Sequence, residues 1–213
     1  MTPTMIVRTL HASRLGNMAI EASDAGLTRV AFTGEPATPT AEAIGKPWAH
    51  ICEAAGQIDE YLAGTRHEFT VPVDWTGVGS FDASVLRVLG TTTGYGTTTS
   101  YGVIAHRLGR GPADARKVGG ALARNRVLII VPCHRVLAAD GCLTGYAGGL
   151  AAKRALLDLE STDTRLALDA SWSEGDVDEP VPQPLRTRSD RNHTPRRNVT
   201  FWSISPERVC GGT

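Results

Sequence analysis

One cysteine in this chain stands beside a histidine, Cys133–His134, at the end of the apolar run Val127–Leu128–Ile129–Ile130–Val131–Pro132. A free thiol ionises about two units above neutral pH, so a nucleophilic cysteine needs help to become a thiolate. A histidine can take the thiol proton, directly or through a water, and a carboxylate can orient that histidine. Pro132 implies an extended break that presents Cys133 and His134 at the edge of a core. Side chains adjacent in an extended segment point apart, which favours a water relay over direct contact. Such a pair suits a hydrolase working through an acyl-enzyme, or transfer of a group onto sulfur. It is equally the pattern of a buried structural cysteine beside an incidental histidine. The other cysteines, Cys52, Cys142 and Cys210, lie far apart and form no C-x-x-C pair. Neither a zinc site nor a disulfide scaffold is expected, and no metal is assigned.

The elements that must position the pair can be read from spacing. Met5–Leu10, Met18–Ala22 and Leu27–Phe32 read as three short strands separated by turn residues at Gly16–Asn17 and Asp24–Ala25–Gly26. A helix is expected from Pro47 to Leu62, with Ile51, Ala54, Ala55, Ile58 and Leu62 at three- and four-residue steps. Phe69–Val73 is expected as an edge strand, since Pro72 cannot donate to a ladder. Together these make a small α+β unit over residues 1–77.

From Ser80 the pattern turns helical. Phe81, Val85, Leu86 and Leu89 predict an amphipathic helix closed by Gly90, and a Thr/Gly-rich loop follows. A short helix is expected over Ser100–Leu108. After the turn Gly109–Arg110–Gly111, a second begins at Pro112 and runs to about Arg124. Helix, tight glycine turn, helix is the helix-turn-helix pattern, which many bundles also contain. The second helix presents Ala115, Val118 and Leu122 to the core and Arg116, Gly120 and Arg124 on another face. Small residues let a thin, basic helix approach a partner closely, or simply pack tightly. Residues 78–160 thus form a mainly helical domain. Residues 161–213 show acidic, proline-rich and then arginine-rich stretches with little periodic hydrophobicity, and are expected to be a disordered tail.

The chain has no net charge, yet its charge is unevenly spread. Residues 1–77 hold five Lys/Arg against nine Asp/Glu, whereas residues 101–136 hold seven Lys/Arg against Asp114 alone. A local basic patch is what a phosphate backbone feels, although a solvated face is the plainer reading. No apolar run is long enough to span a membrane, and the N-terminus lacks a secretory pattern, so a cytoplasmic protein is expected.

The string Val131–Pro132–Cys133–His134–Arg135–Val136 resembles the acceptor motif of the 6-O-alkylguanine-DNA alkyltransferases, also called methylated-DNA–protein-cysteine methyltransferases. The resemblance runs from about Ser80 to Glu160. It takes in Tyr95–Gly96, Ser100–Tyr101, Ala115 to Ala121, Asn125, Gly145–Tyr146–Ala147–Gly148–Gly149, Lys153 and Leu156 to Glu160. Segment 5–73 is similar to the family's N-terminal domain through Asp24–Ala25–Gly26–Leu27 and Gln57 to Arg66, on less specific motifs. The implied fold is α+β, a small ribonuclease-H-like α/β domain followed by a helical domain with a helix-turn-helix. The implied activity is DNA repair, in which an alkyl group moves from 6-O-alkylguanine, or 4-O-alkylthymine, to Cys133 in a single irreversible turnover.

By that resemblance Cys133 is the nucleophile, His134 polarised by Glu160 takes its proton through a water, and Tyr101 hydrogen-bonds or protonates the leaving base. Arg116 fills the space of an extruded nucleotide, and Asn125 holds the link between recognition helix and acceptor segment. Backbone at Cys133, Val136 and Ala147 reads the guanine edge, with Tyr146 walling the pocket and Lys117 and Arg124 on the basic helix. No cofactor is implied, since damaged double-stranded DNA is itself the alkyl donor, and a monomer is expected. The chain departs from the family pattern at Asp82, Leu86, Thr93, Gly94 and Arg126, around the loop and hinge rather than in the acceptor motif. A turning-over cysteine hydrolase and a DNA-binding regulator or lesion sensor without transfer are the rival readings.

Overall fold

The computed structural model describes residues 5–37 and 45–171, with side chains up to residue 162. An antiparallel meander comes first: β1 (Val7–Ser13), β2 (Gly16–Ser23) and β3 (Gly26–Phe32) in the order β1-β2-β3. β1 begins later and runs further than its hydrophobic pattern alone suggested. Arg8 faces Glu21 across the β1–β2 ladder, and a bulge interrupts the β2–β3 pairing between Glu21 and Ala22.

Helix α1 (Lys46–Leu62) lies on this sheet and buries Ile51, Ala54, Ile58 and Leu62 of the stripe its spacing foretold, while Ala55 is only half-buried and Tyr61, not part of that stripe, is buried too; Pro47 sits in the first turn. Gln57, also buried, uses its amide to replace a ladder: it accepts from the Thr70 N–H at 2.9 Å and donates to the Thr70 hydroxyl at 2.7 Å. The segment expected as an edge strand over Phe69–Val73 is therefore no strand. It touches the sheet at a single parallel bridge, Val73 to Leu27.

The free edge of β3 receives two separate pieces of chain. The Leu27 N–H donates to Pro72 O and its carbonyl accepts from Asp74 N–H, at 2.8 and 2.9 Å. Three residues on, Val30 exchanges the same pair of bonds with Arg126 O and Leu128 N–H, both 2.8 Å. Backbone that would otherwise be an exposed edge is satisfied in this way. Close approach requires glycine at position 26, which has φ 138° and whose missing Cβ would sit 2.4 Å from Pro72 O.

Helices α2 (Ser80–Thr92), α3 (Tyr101–Arg107) and α4 (Ala115–Ala123) follow. α2 passes through Gly90 instead of stopping there, because Thr91 and Thr92 return their hydroxyls to the Arg87 and Val88 carbonyls and the Thr93 N–H caps Leu89 O. Ser100 caps α3 through the Val103 N–H, and Gly109 at φ 69° ends it. Pro112 opens a 3-10 turn (Pro112–Asp114), and the α-helix starts only at Ala115. Within α4, Val118, Ala121 and Leu122 are buried while Ala115 is only half-buried. A two-residue parallel pairing joins β4 (Thr99–Ser100) to β5 (Val136–Leu137).

The last helix, α5 (Leu150–Ser171), runs past Glu160, so residues 161–171 do not belong to the structureless tail expected to start there. Residues 172–213 of that expected tail lie outside the described ones. A single cluster of buried side chains extends from Met18, Ile20 and Ile58 through Val85, Ile104 and Val118 to Ile129 and Leu156. The sheet unit and the helical unit therefore share one core.

Candidate active site

The apolar run before Cys133 is not a strand. After its bridge to β3 it turns back on itself, with Val131 N–H donating to Val127 O at 3.0 Å and Ile129 held at φ 70° while fully buried. A β-branched residue there costs on the order of 1–3 kcal/mol, which the surrounding core must offset. Pro132, at φ −81° and ψ 56°, makes an inverse γ-turn closed by Cys133 N–H to Val131 O at 2.8 Å. Cys133–His134–Arg135 then form one 3-10 turn, correcting the expectation of an extended segment with its side chains splayed.

Asn125 holds this loop at both ends. Its Oδ1 accepts from the Val127 N–H at 3.0 Å, and its Nδ2 donates to Val131 O and to Cys133 Sγ, both at 3.1 Å. Burial pushes the Cys133 thiol up to about 11, while the Asn125 amide, then the Lys153 charge, pull the other way. The thiol at rest is protonated at neutral pH.

Beside it, His134 Nε2 lies 2.9 Å from Glu160 Oε1, and both residues are buried. Burial alone would raise the Glu160 carboxyl, but His134 and Arg135 outweigh it and hold the group at about 2. An ionised carboxylate only accepts, so Nε2 carries the hydrogen and Nδ1 the lone pair. Nδ1 is buried and has no hydrogen-bond partner among the described residues. Burial also lowers the His134 pKa, against the opposing pull of Glu160, which favours the neutral ring.

Glu160 gathers more than His134. Arg135 Nε reaches its two oxygens at 3.0 and 3.1 Å, Tyr61 Oη donates to Oε1 at 2.5 Å, and the Gly96 N–H donates to Oε2 at 3.1 Å. Arg135 also donates to Thr93 O at 2.7 Å. Tyr61, Arg135 and Thr93 were not expected here. Arg135 reads in the sequence as part of the basic patch, yet it is 6% exposed and paired with Glu160. Only the acceptor motif around it hinted at a role.

Lys153 is fully buried and donates through Nζ to Val136 O at 2.6 Å and Thr144 O at 2.9 Å. It thereby ties α5 to the strand after the acceptor turn and to the loop before Tyr146. Its ammonium is lowered to about 8 by burial, with Cys133 acting in the opposite sense. Thr144 also meets Tyr101, Oγ1 to Oη at 2.9 Å. The Tyr146 ring stands edge-on to His134 at 6.3 Å between centroids, and its hydroxyl is buried without a partner among the described residues. Gly148 admits no Cβ, since one would lie 2.6 Å from both Phe32 and Tyr146. At Gly148 the chain is thus packed against both the Tyr146 ring and Phe32, the last residue of β3. Ala147 is exposed and Val136 buried.

On the outer face of α4, Arg116 is exposed. Lys117 pairs with Asp114 at 2.8 Å. Arg124, expected to be available to a partner, is held by Asp82 through two bonds of 2.7 and 2.8 Å. The structure thus brings Cys133, Asn125, His134 and Glu160 into one linked cluster with Lys153. Tyr101 and Tyr146 stand next to it, and Arg116, Lys117 and Arg124 lie on the helix surface outside.

Two family models match the chain. That for the 6-O-methylguanine DNA methyltransferase DNA-binding domain covers residues 80–162, and that for the ribonuclease-like domain of the same proteins covers residues 6–75. The chain is 38% identical over 148 residues to a methylated-DNA–protein-cysteine methyltransferase of Mycolicibacterium paratuberculosis, covering 70% of this chain and 88% of that one. It is 48% identical over 110 residues to that of Mycobacterium leprae, and the match spans 65% of that relative's length, slightly under two thirds. A crystal structure of the Mycobacterium tuberculosis O6-methylguanine methyltransferase superposes with a TM-score of 0.65 at 35% identity, covering 78% of this chain and 99% of that one. A structure of the M. tuberculosis protein in complex with DNA gives 0.62 at 37% identity, with 72% and 92% covered.

Proposed function

We propose that this chain, which belongs to the methylated-DNA–protein-cysteine methyltransferase family, repairs DNA by taking an alkyl group from the 6-oxygen of guanine onto Cys133, once per molecule. The observation that carries the reading is the state of His134: Glu160 engages Nε2, leaving Nδ1 as a buried base next to a thiol that needs one. A water between Sγ and Nδ1 passes the thiol proton to His134. The Asn125 amide and the Lys153 charge stabilise the thiolate that results.

The thiolate attacks the alkyl carbon in line. A carbon–sulfur bond forms, the carbon–oxygen bond breaks, and its electron pair returns to the base. Tyr101 hydrogen-bonds the leaving base and helps return its ring proton, which the proton taken by His134 balances. Net, the thiol exchanges its hydrogen for the alkyl group. The thioether product has a sulfur that leaves poorly, so each chain serves once, and the DNA is the only co-reactant. The same chemistry extends to the 4-oxygen of an alkylated thymine.

A 6-oxygen inside a duplex is out of reach of a thiol that is only 6% exposed, so the nucleotide must swing out, at about a few kcal/mol of lost stacking. The thin helix α4 enters the minor groove of double-stranded DNA, with Arg116 filling the gap and Lys117 and Arg124 near the phosphates. Backbone at Cys133, Val136 and Ala147 reads the guanine edge, and Tyr146 stacks as the pocket wall. The protein acts as a monomer in the cytoplasm. Its working units divide near residues 77 and 160, which the family matches over 6–75 and 80–162 support.

Intact-mass spectrometry after mixing with a duplex carrying one 6-O-methylguanine tests the proposal. The expected result is a gain of one methyl group per chain, mapped to Cys133, and none in Cys133→Ala. A folded protein whose mass is unchanged overturns it. Repeated turnover on an ester would favour the hydrolase reading.

A further inference from the structure

Tyr61 closes the last turn of α1 and is fully buried. Its hydroxyl lies 2.5 Å from Glu160 Oε1 and 3.3 Å from His134 Nε2. A phenol has one hydrogen, and a carboxylate cannot give one, so Tyr61 donates to Glu160 and turns its lone pairs toward the His134 Nε2–H. Packing does not call for this hydroxyl. The ring is seated against Phe69 at 5.2 Å and edge-on to Tyr95 at 5.8 Å, contacts a phenylalanine would keep. Burial and then the Glu160 charge raise the phenol's pKa, so it stays neutral through the working range and acts as a fixed dipole rather than as an acid.

We propose that Tyr61 is a positioning residue of the relay: its hydroxyl, delivered by α1, fixes Glu160 Oε1 and limits how strongly His134 holds a proton. The inference rests on the methyltransferase reading for its consequence, but its physical content is separate. Oε1 is shared between the Tyr61 hydroxyl, Arg135 and the His134 Nε2–H. Whatever charge density the hydroxyl draws is not available to stabilise an imidazolium. A base that gripped its proton too firmly could not hand it back as the guanine departs, and Tyr61 weakens that grip. The other groups facing the pair are Arg135 and Cys133 on the acceptor turn, Lys153 on α5, Tyr95 with the Gly96 N–H, and Tyr146. Arg135, Lys153 and the Gly96 N–H supply positive charge or a donor, and Tyr61→Phe leaves all of them in place.

Two measurements on the full chain test the role. Methyl transfer in a single turnover is followed against pH, and His134 protonation in the DNA-free protein is read from its isotope-labelled ring nitrogens by NMR. In Tyr61→Phe, Oε1 has one competitor fewer, the imidazolium gains, and the acid limb of the rate profile moves upward by about half a unit to one unit. The His134 titration moves in the same direction. A chain carrying difluorotyrosine at position 61 keeps the hydroxyl but donates more strongly, and both curves move down. Thermal unfolding reports whether each variant is folded.

If either variant lowers the rate or the melting temperature while the acid limb and the His134 titration stay put, Tyr61 is structural only and the inference is overturned. Should the parent fail to methylate itself while the His134 titration still shifts as described, the functional reading falls and the role of Tyr61 stands.

Discussion

The side-chain amide nitrogen of Asn125 lies 3.1 Å from the sulfur of Cys133, and the same nitrogen reaches Val131 O. A residue just past the end of α4 therefore grips both the Cys133 sulfur and the loop that carries it. In Asn125→Ala the Val127 N–H and Val131 carbonyl lose a buried partner, and the sulfur loses its donor. Stability should fall by about 1–3 kcal/mol, and methyl transfer by roughly 10- to 100-fold. Denaturant midpoints and single-turnover rates check the two effects separately. Asn125→Asp should slow transfer further, since it sets a negative charge against a developing thiolate.

A thiol pushed to about 11 by burial is unreactive in the resting protein. Iodoacetamide at pH 8 should label the exposed Cys52 well before Cys133, as read by peptide mapping. Modification of Cys133 should accelerate as pH climbs toward 11. Stability should decline over the same interval, because an unfolded chain ionises this thiol near 9 and the native chain does not.

Glu160 sets the acid side. Its folded value of about 2 lies below the ordinary carboxylate value of 4.5. The stabilisation it supplies is therefore complete above about pH 4.5, and drains away as pH falls toward 2. Glu160→Gln leaves Arg135 buried without its counter-charge and should cost about 3–5 kcal/mol at pH 7. Melting curves of parent and variant from pH 7 to 3 should converge at the acid end. A gap that stays constant with pH would refute the account.

Asp82 occupies Arg124 with two hydrogen bonds at the surface. Asp82→Asn should release the guanidinium for phosphate. DNA binding should then tighten by about threefold to tenfold at low salt, and the dependence of log affinity on log salt should steepen by about one. Arg116→Ala should weaken binding to lesion-bearing duplex more than to single strands, since on the proposed function Arg116 is the group that fills the vacated stack. Fluorescence anisotropy in a salt series measures both variants.

Helix α1 was legible because Ile51, Ala54, Ile58 and Leu62 recur at helical steps. Yet the same pattern hid Tyr61, which reads as one more apolar-face residue while its partner lies 99 positions away. Cys133, His134 and Glu160 could be named from a motif, whereas the shape of the acceptor turn could not. A run of β-branched residues reads as strand, and only tertiary packing holds Ile129 at positive φ. Arg135 and Arg124 show the limit of counting charge. The first is buried against Glu160 and the second is tied down by Asp82, so a basic stretch in one dimension is a smaller basic surface in three. Thr93 stood out as a departure from the family pattern, but that its carbonyl would receive Arg135 is a long-range fact no local rule contains.

The two bonds by which Val30 grasps Arg126 O and Leu128 N–H flank one residue on a strand that is itself laddered to β2. The segment between α4 and Cys133 is therefore anchored to the sheet, and shifting it requires breaking both bonds. Under the proposed function the sulfur is then the fixed member, held through Val30 to the sheet, and the nucleotide is the member that has to travel.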